Sequence, residues 1–214
     1  MAVLRSGILG RASGKVAGVV GGHWKDKSYI REYVIPANPN TTPQQVQRTL
    51  FSTGVAFLKA LVGPVMNVYV DKFQKSMSGF NAILGENMAL FTTPITFATI
   101  KIVLGKLWGP ADAAFHSNIS HMTISWTAAS YGNNGAATDK VYAAARDETT
   151  GLWYFASAEV ARSTGTISIA LPDSADNHVI DAYIWTAKYS VSSPTLLEMV
   201  SDSAYVTGTY LNAP

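Results

Sequence analysis

The sequence predicts an α+β protein in which an N-terminal glycine-rich arm, a β-hairpin and a buried helix precede an antiparallel β-sandwich. One long apolar stretch has the period and capping signals of a helix, and later segments alternate apolar and polar residues between turn sequences. With 214 residues, of which 48% are hydrophobic, the chain is long enough to bury a substantial core. We expect an arm over residues 1–22, a hairpin and helical region over 23–94, and a β domain over 95–214 that begins between 95 and 118.

The arm is defined by glycines spaced four residues apart, with basic residues between them: Gly10, Gly14, Gly18 and Gly22. Each glycine costs about 1 kcal/mol relative to alanine in a helix, so the segment is predicted to be extended and to lie against another surface. It is not a phosphate-binding loop, because Gly10 and Gly14 are one residue too close and Val16 replaces the required Ser or Thr.

A hairpin and a helix follow the arm. Residues 24–29 have the pattern of a turn between two short strands. Thr42 is predicted as the N-cap of a helix over 43–62, with Pro43 in its first turn and Gln45 completing a capping box. Apolar residues at helical spacing predict that this helix is buried on most of its surface, and after a kink it is expected to resume over 65–75.

The rest of the chain is predicted to be a loop over 76–94 and then strands. Trp126 and Trp185 are the expected core aromatic residues, and the strand spacing favours a fibronectin-III-like or generic Ig-like sandwich. The predicted strands are 95–104, 119–127, 139–147, 152–161, 164–171, 178–189 and 196–209.

No catalytic, cofactor or metal site is expected. The chain has no cysteine, which excludes disulfides, thiolate zinc sites and cysteine nucleophiles, and it has no Gly-x-Ser-x-Gly elbow. His116 and His121 are five residues apart, which suits neither one helix face nor one strand face. The paired carboxylates are best explained as turn residues, with a weak calcium site as the alternative: Asp147 with Glu148, and Asp173 with Asp176.

The charge of the chain is divided between its halves. Only 14% of the residues are charged. Residues 1–106 hold twelve Lys and Arg against four Asp and Glu, a net charge of +8, whereas residues 107–214 hold four against ten, a net charge of −6. Two domains with different surfaces would give the same numbers, but a basic and an acidic half also suit copies that associate head to tail.

The residues expected to make that contact lie in the arm and the hairpin, where basic and aromatic side chains interleave: Arg5, Arg11, Lys15, Trp24, Lys25, Lys27, Tyr29 and Arg31. The basic residues of this set could neutralise phosphates, and Trp24, Tyr29 and also Tyr33 could stack bases, so nucleic-acid binding is an alternative. Docking onto the acidic β domain of a neighbouring copy is favoured, because the basic excess is modest for a nucleic-acid arm.

The sequence also resembles a family of uncharacterised proteins from bacteria and their phages. The residues that carry the resemblance are the Gly-Lys-Val arm at 14–16, the Trp-Lys strand at 24–25, the Asn-Pro-x-Thr…Gln segment from Asn38 to Gln45, and Ile124-Ser125-Trp126. The resemblance implies no activity.

The function predicted from these observations is that of a self-assembling structural subunit, of a phage virion (capsid, decoration or tail) or a related filament or shell. Its partners would be copies of itself and other virion proteins. A cell-surface or carbohydrate-binding module that uses the sandwich loops is an alternative, as is a virion protein that contacts nucleic acid through the arm. We expect no membrane span, because the longest apolar run, from Gly54 to Val70, is too short and is interrupted by Lys59, Pro64 and Asn67. We also expect no classical signal peptide, because Arg5, Arg11 and Lys15 interrupt any apolar leader, and hence synthesis in the bacterial cytoplasm before assembly into a virion or extracellular structure.

Overall fold

A computed structural model describes residues 2–4, 13–24, 27–35, 37–38, 40–92, 94–129 and 132–211. It is an α+β protein with antiparallel sheets, as the sequence predicts. The chain divides into two compact units, Met1–Gln44 and Gln45–Pro214. The three regions expected from the sequence, with boundaries at 22 and 94, stay a prediction.

The first unit contains a four-stranded antiparallel sheet. Its order is β1-β4-β3-β2, and the strands are β1 (Ala2–Leu4), β2 (Gly14–Val16), β3 (Val19–Trp24) and β4 (Lys27–Glu32). The predicted hairpin is confirmed, since Trp24 pairs with Lys27. Residues 13–22 were expected to be an extended arm, and this is corrected: they form β2, a turn and β3, because Ala17 adopts a positive φ of 51° that lets the chain reverse.

The helix α1 (Thr42–Leu58), most of which belongs to the second unit, continues without a break through a 3-10 turn (Lys59–Leu61), a π-helical stretch (Val62–Val70) and a second 3-10 turn (Asp71–Phe73). Its capping box is one residue earlier than predicted. The backbone N–H of Thr41 donates to Oε1 of Gln44 at 3.2 Å, which is the reciprocal bond of a box whose N-cap is Thr41.

The expectation of a helix buried on most of its surface was wrong for the first three turns of α1. Residues 42–53 are exposed or half-buried, and Val46 and Phe51 are 53% and 50% exposed. Burial begins at Gly54, where an added Cβ would lie 2.6 Å from the ring of Phe91. The core of the unit covers only the helical residues from this position onward.

By length and composition, the helical segment Thr42–Phe73 could cross a membrane; its most apolar window has a mean hydropathy of 1.5 and is 33% buried. Its second half supplies Leu58, Leu61 and Val65, which are fully buried in the same cluster as Tyr183 and Trp185 of the β domain. That arrangement is typical of the core helix of a globular unit. The expected lack of a membrane span remains a prediction.

The segment predicted as a loop over 76–94 contains a second helix, α2 (Gly79–Asn87), followed by a 3-10 turn (Met88–Leu90). Ser78 caps it by accepting a hydrogen bond from the backbone N–H of Asn81 at 3.3 Å. The first N–H of the helix, that of Gly79, donates to Oδ1 of Asp71 at 2.7 Å. The loop prediction was therefore wrong.

The predicted strand 95–104 was also wrong. Ile100, Ile102 and Val103 are buried, but the chain here forms a 3-10 turn (Phe97–Thr99) and irregular backbone. Side chains satisfy its backbone N–H groups in place of a neighbouring strand: Lys101 donates to Oδ1 of Asn87 and Ile102 to Oγ of Ser203, both at 2.9 Å. Apolar residues that are buried in irregular backbone therefore give the same sequence pattern as a strand that is hydrogen-bonded to a neighbouring strand.

The β domain consists of two antiparallel sheets. One has the order β10-β6-β5, and the other has the order β12-β11-β7-β8, with β13 also paired to β11 and β9 to β7. The strands are β5 (Ala111–Asn118), β6 (His121–Thr127), β7 (Lys140–Asp147), β8 (Trp153–Phe155), β9 (Val160–Ala161), β10 (Thr166–Ala170), β11 (Val179–Tyr189), β12 (Leu197–Val200) and β13 (Ala204–Thr209).

Most of the predicted strands are confirmed to within two residues, as β6, β7, β10 and β11. Predicted strands 152–161 and 196–209 are each divided in two, and β5 was not predicted. β11 is buried along nearly its whole length. Ile180, Ala182 and Ile184 face the smaller sheet, whereas Tyr183 and Trp185 face the helices, so the larger sheet is covered on both sides. Trp126 and Trp185 are buried, as predicted.

Candidate functional site

The sheet of the first unit holds the described residues that the sequence singled out for interaction. Residues that lie opposite each other in an antiparallel pair share a face, and successive residues alternate between faces. Arg31 pairs with Val20, and Val20 pairs with Lys15. Tyr29 pairs with Gly22; Tyr29 lies two residues before Arg31 on β4, and Gly22 lies two residues after Val20 on β3. Lys15, Val20, Gly22, Tyr29 and Arg31 therefore lie on one face, which we call the basic face.

Two contacts define the surface of the basic face. The ring of Tyr29 lies over Gly22, where an added Cβ would be 2.7 Å from Cζ of the tyrosine. The Nζ of Lys15 lies 3.5 Å from the centroid of the Tyr33 ring, a cation–π contact. Tyr33 is held beside the sheet by its backbone N–H, which donates to the carbonyl of Gly18 at 2.8 Å. The face thus combines two cations with two aromatic rings.

The opposite face, which we call the aliphatic face, carries Val16, Val19 and Ile30. Val16 pairs with Val19, and Ile30 pairs with Gly21, on the strand positions that alternate with the basic face. Val16 is 77% exposed, and Val19 is 43% exposed. Among the described residues of this unit with an assigned burial, only Ser28 is buried. A single sheet of this kind has no core of its own to stabilise it.

The structure brings together part of the predicted interaction set. Lys15, Tyr29 and Arg31 share the basic face, and the backbone positions of Trp24 and Lys27 belong to the same face by register. Three further predicted residues lie outside the described residues: Arg5, Arg11 and Lys25.

Sequence reasoning included Tyr33 among the aromatic residues that could stack bases, but it missed the aliphatic face. The signal was present, because Tyr29, Arg31 and Tyr33 alternate with Ile30, Glu32 and Val34 at the two-residue period of a strand.

A second group of charged residues lies in the β domain around Asp147. This carboxylate is fully buried and accepts hydrogen bonds from the backbone N–H and hydroxyl of Thr150, from the N–H of Thr149 and from Nδ1 of His178, the last at 2.8 Å. Burial raises the pKa of Asp147, but the bonds from His178 and Thr150 outweigh it and hold the pKa below its usual value. Asp147 acts as a turn residue that fixes 147–151, as its sequence position suggests.

Asp181, on the neighbouring strand, has the opposite shift. It is fully buried, Oδ1 accepts a hydrogen bond from the hydroxyl of Tyr205 at 2.6 Å, and Oδ2 lies 3.8 Å from Nη1 of Arg146. Burial raises the pKa of Asp181 to about 6, with Tyr205 and Arg146 lowering it and Glu148 raising it. The Arg146 guanidinium also lies over the rings of Phe57 and Phe97, at 5.5 and 4.9 Å.

The raised pKa of Asp181 predicts a pH dependence of stability. The folded pKa of about 6 lies above the ordinary 3.8, so the folded state binds the proton more tightly. The resulting stabilisation is present below pH 3.8 and is lost as the pH rises through 6. Replacing Asp181 with Asn removes this dependence. From about pH 4.5 to about pH 7, the variant should gain about 2 kcal/mol in free energy of unfolding relative to the wild type.

Urea unfolding of both proteins at the two pH values measures this difference. A gap between variant and wild type that stays constant with pH would show that Asp181 titrates normally.

Among the described residues, no three His, Asp or Glu side chains are grouped so that they could hold a metal ion. His116 instead shares a hydrogen bond of 2.7 Å between its Nε2 and the hydroxyl of Ser125.

Comparison with protein families places the chain in a family. A protein-family model described as a family of unknown function, DUF6266, matches residues 11–193. No curated protein and no solved structure matches the chain. The matched range includes β2, β3, β4, both helices and the β domain as far as β11.

Proposed function

Because the chain belongs to DUF6266, a family of unknown function that brings no activity with it, we propose from the molecule itself that it is a self-assembling structural subunit. In this proposal the N-terminal sheet of one copy binds the β domain of another. The assembly would be a phage virion component (capsid, decoration or tail protein) or a related filament or shell. The observation that carries the proposal is the exposed aliphatic face of a sheet with no apolar core among its described residues.

The aliphatic face needs a second layer. Covering a valine or isoleucine side chain contributes about 1.5–3 kcal/mol, and Val16, Val19 and the neighbouring Val34 and Ile35 are all exposed. A single-layer sheet leaves these side chains in water and does not gain this free energy. A subunit contact that covers the face would recover it.

Charge supports the β domain of a neighbouring copy as the partner. The four basic residues beyond position 107 are all buried or half-buried. By contrast, six of its carboxylates are exposed: Asp112, Glu148, Glu159, Asp173, Asp176 and Glu198. The surface of the domain is therefore acidic, and it is attracted to the positive charge that residues such as Lys15 and Arg31 give the N-terminal sheet. A contact between two different surfaces propagates into a ring or an open polymer.

We further propose that the β domain is an Ig-like or fibronectin-III-like sandwich that serves as the rigid body of the subunit. Support comes from the alternating core residues of β6, Met122, Ile124 and Trp126, which pack with residues of β7 and β11 from the other sheet. The helices that cover the outer side of the larger sheet are an addition to that plan.

A charge-reversal variant tests the proposed contact. Replacing both Lys15 and Arg31 with Glu gives the N-terminal sheet a charge of the same sign as the acidic β domain that it is proposed to bind, and we expect the apparent dissociation constant of the assembly to rise at least about tenfold. Sedimentation velocity measures this change. The matched control replaces the exposed Lys59 and Lys75 with Glu, which alters the net charge equally but leaves the basic face intact.

Equal loss of assembly in both variants would mean that net charge matters and the basic face does not. Assembly that appears only with co-purified nucleic acid, seen as a raised ratio of absorbance at 260 to 280 nm, would favour nucleic acid as the partner and contradict the proposed contact.

A further inference from the structure

The strand β10 (Thr166–Ala170) forms one edge of the smaller sheet of the β domain. It pairs with β6 on one side, and among the described residues no strand pairs with its other side. The pairing with β6 is regular and runs from Thr166 opposite Ser125 to Ala170 opposite His121. An edge of this kind presents unpaired backbone groups to which another strand can add.

The direction of the backbone groups of β10 follows from two hydrogen bonds at its ends. The N–H of Trp126 donates to the carbonyl of Gly165 at 2.9 Å, and the N–H of Leu171 donates to the carbonyl of Ser120 at 3.1 Å. In an antiparallel pair, alternate residues turn their N–H and C=O groups toward the partner strand. The odd-numbered residues from 165 to 171 therefore face β6. The residues between them direct their backbone groups to the open side: Thr166, Ser168 and Ala170.

The open side of β10 is accessible. Thr166, Ser168 and Ala170 are all exposed, and they alternate with Ile167 and Ile169, which are buried in the core of the domain. The strand is thus anchored by its isoleucines, while its outward backbone groups lie at the surface.

β10 also lacks the features that usually protect an edge. Its sequence, Thr-Ile-Ser-Ile-Ala, contains no charged residue and no proline, and its register with β6 has no bulge. The outer side of β12, another edge strand, is occupied instead. There the carbonyl of Val200 accepts from the N–H of Leu107 at 2.9 Å, and the carbonyl of Leu197 accepts from Nζ of Lys72 at 2.5 Å.

The sequence of β10 is complementary to itself. When two copies pair in antiparallel fashion about a two-fold axis at Ser168, the two Ser168 residues lie opposite each other, and each Thr166 lies opposite an Ala170. These are the residues with outward backbone groups, so each opposed pair can exchange two hydrogen bonds. Ile167 then lies opposite Ile169 on the core side of the joined sheet, which brings apolar residues together. No charged side chain of β10 opposes another across the axis.

We propose that the open edge of β10, exposed at Thr166, Ser168 and Ala170, binds the same edge of a second copy and joins two three-stranded sheets into one of six strands. This contact does not use the N-terminal sheet, so it does not rest on the proposed function. It is isologous, whereas the proposed N-terminal contact is heterologous, and the two together would link rings or files of subunits in pairs. Three opposed residue pairs are few for a stable dimer, so the pairing of two isolated copies is transient.

The lack of cysteine in the chain allows a direct test by disulfide trapping. Ser168→Cys in the intact chain places two thiols opposite each other in a hydrogen-bonded pair, with Cα atoms about 5.5 Å apart, which a disulfide can span. In a glutathione redox buffer, we expect linked dimers to form at least about tenfold faster than with Ser192→Cys, because pairing holds the thiols together. Ser192 is an exposed residue of the connection from β11 to β12. Non-reducing electrophoresis measures both rates, and equal rates would overturn the proposal.

Blocking the edge makes the test specific. Thr166→Lys with Ala170→Lys, added to Ser168→Cys, places lysines opposite each other and should lower the rate to that of the control cysteine. The matched control adds Thr138→Lys and Thr195→Lys, which lie in exposed turns outside β10, and should keep the fast rate. All four positions are exposed, so both variants should have the same thermal midpoint, which separates loss of pairing from loss of the fold. Undiminished trapping in the blocked variant would overturn the proposal.

The charge-reversal variant separates this contact from the N-terminal one. In a chain that also carries Lys15→Glu and Arg31→Glu, the ratio of rates between Ser168→Cys and Ser192→Cys should stay at least about tenfold, even where sedimentation shows that assembly is weakened. A ratio that falls to one in this background alone would mean that the thiols meet through the N-terminal sheet, and it would contradict pairing at β10.

Discussion

Replacing Gly105 with Ala is expected to destabilise the second unit by about 3 kcal/mol or more, at the upper end of overpacking effects. An added Cβ at Gly105 would lie 1.9 Å from the carbonyl oxygen of Val200 and 2.4 Å from its carbonyl carbon. These are backbone atoms of β12, so no side-chain rotation can relieve the clash. The same carbonyl accepts a hydrogen bond of 2.9 Å from the N–H of Leu107, and the N–H of Gly105 donates to Oδ1 of Asp202. Moving the backbone would break both bonds.

The measurement is urea unfolding followed by circular dichroism. Gly85→Ala is the matched control, because Gly85 lies in α2, is exposed and has no atom within 4 Å of an added Cβ. Alanine is the better helix former, so this control should gain about 0.5–1 kcal/mol. A Gly105→Ala variant as stable as the wild type would show that the backbone at Gly105 lies farther from Val200 of β12 than the structure places it.

Replacing Phe57 with Ala is expected to cost about 3–5 kcal/mol, the range for removing a buried aromatic side chain. Phe57 is 6% exposed and lies where the helix meets the larger sheet. Its ring centroid is 5.9 Å from that of Phe91, 5.7 Å from that of Phe97 and 5.3 Å from that of Trp153. The substitution therefore removes a contact to three separate segments at once.

Phe51→Ala on the same helix is its control. Phe51 is 50% exposed, so we expect its loss to change the free energy of unfolding by no more than about 0.5 kcal/mol. Equal destabilisation by the two substitutions would mean that the exposed turns of α1 are covered in solution, whereas a small effect of both would contradict the assigned core.

Sequence pattern correctly predicted the elements whose conformation depends on residues close together in the chain. The alternation of Met122, Ile124 and Trp126 predicted β6, and the capping sequence near Thr42 placed the start of α1 to within a residue. In both cases neighbours in sequence carry the information, through side-chain period and backbone capping.

The errors arise where distant residues decide the backbone. Ile100 to Val103 read as a strand, but their N–H groups bond to side chains such as Asn87 and Ser203 that sequence pattern cannot place. α2 contains two glycines, which weaken its helical pattern. Its first N–H, that of Gly79, donates to the carboxylate of Asp71, eight residues earlier in the chain. β5 has a bulge between Ala111 and Ala114, where Asp112 adopts a positive φ of 54°, and Phe115 is its only large apolar residue, so its sequence has a weak strand pattern.

The candidate sites show the same division. Composition identified the basic and aromatic residues of the N-terminal unit, but only the strand register places Lys15 and Arg31 on one face and Val16 and Val19 on the other. A cavity lined by Tyr69 and Trp185 was beyond prediction, because these residues are 116 residues apart in the chain and meet only in the folded core.

Sedimentation velocity of the intact chain over a range of concentrations, beside a variant that lacks residues 1–35, tests the proposed self-assembly most directly. The deletion removes the N-terminal sheet but retains the capping residues Thr41 and Gln44 of α1. We predict that the intact chain forms species larger than a monomer whose population grows with concentration, and that the shortened chain is folded and monomeric. An intact chain that sediments as a monodisperse monomer, unchanged by the deletion, would contradict the account.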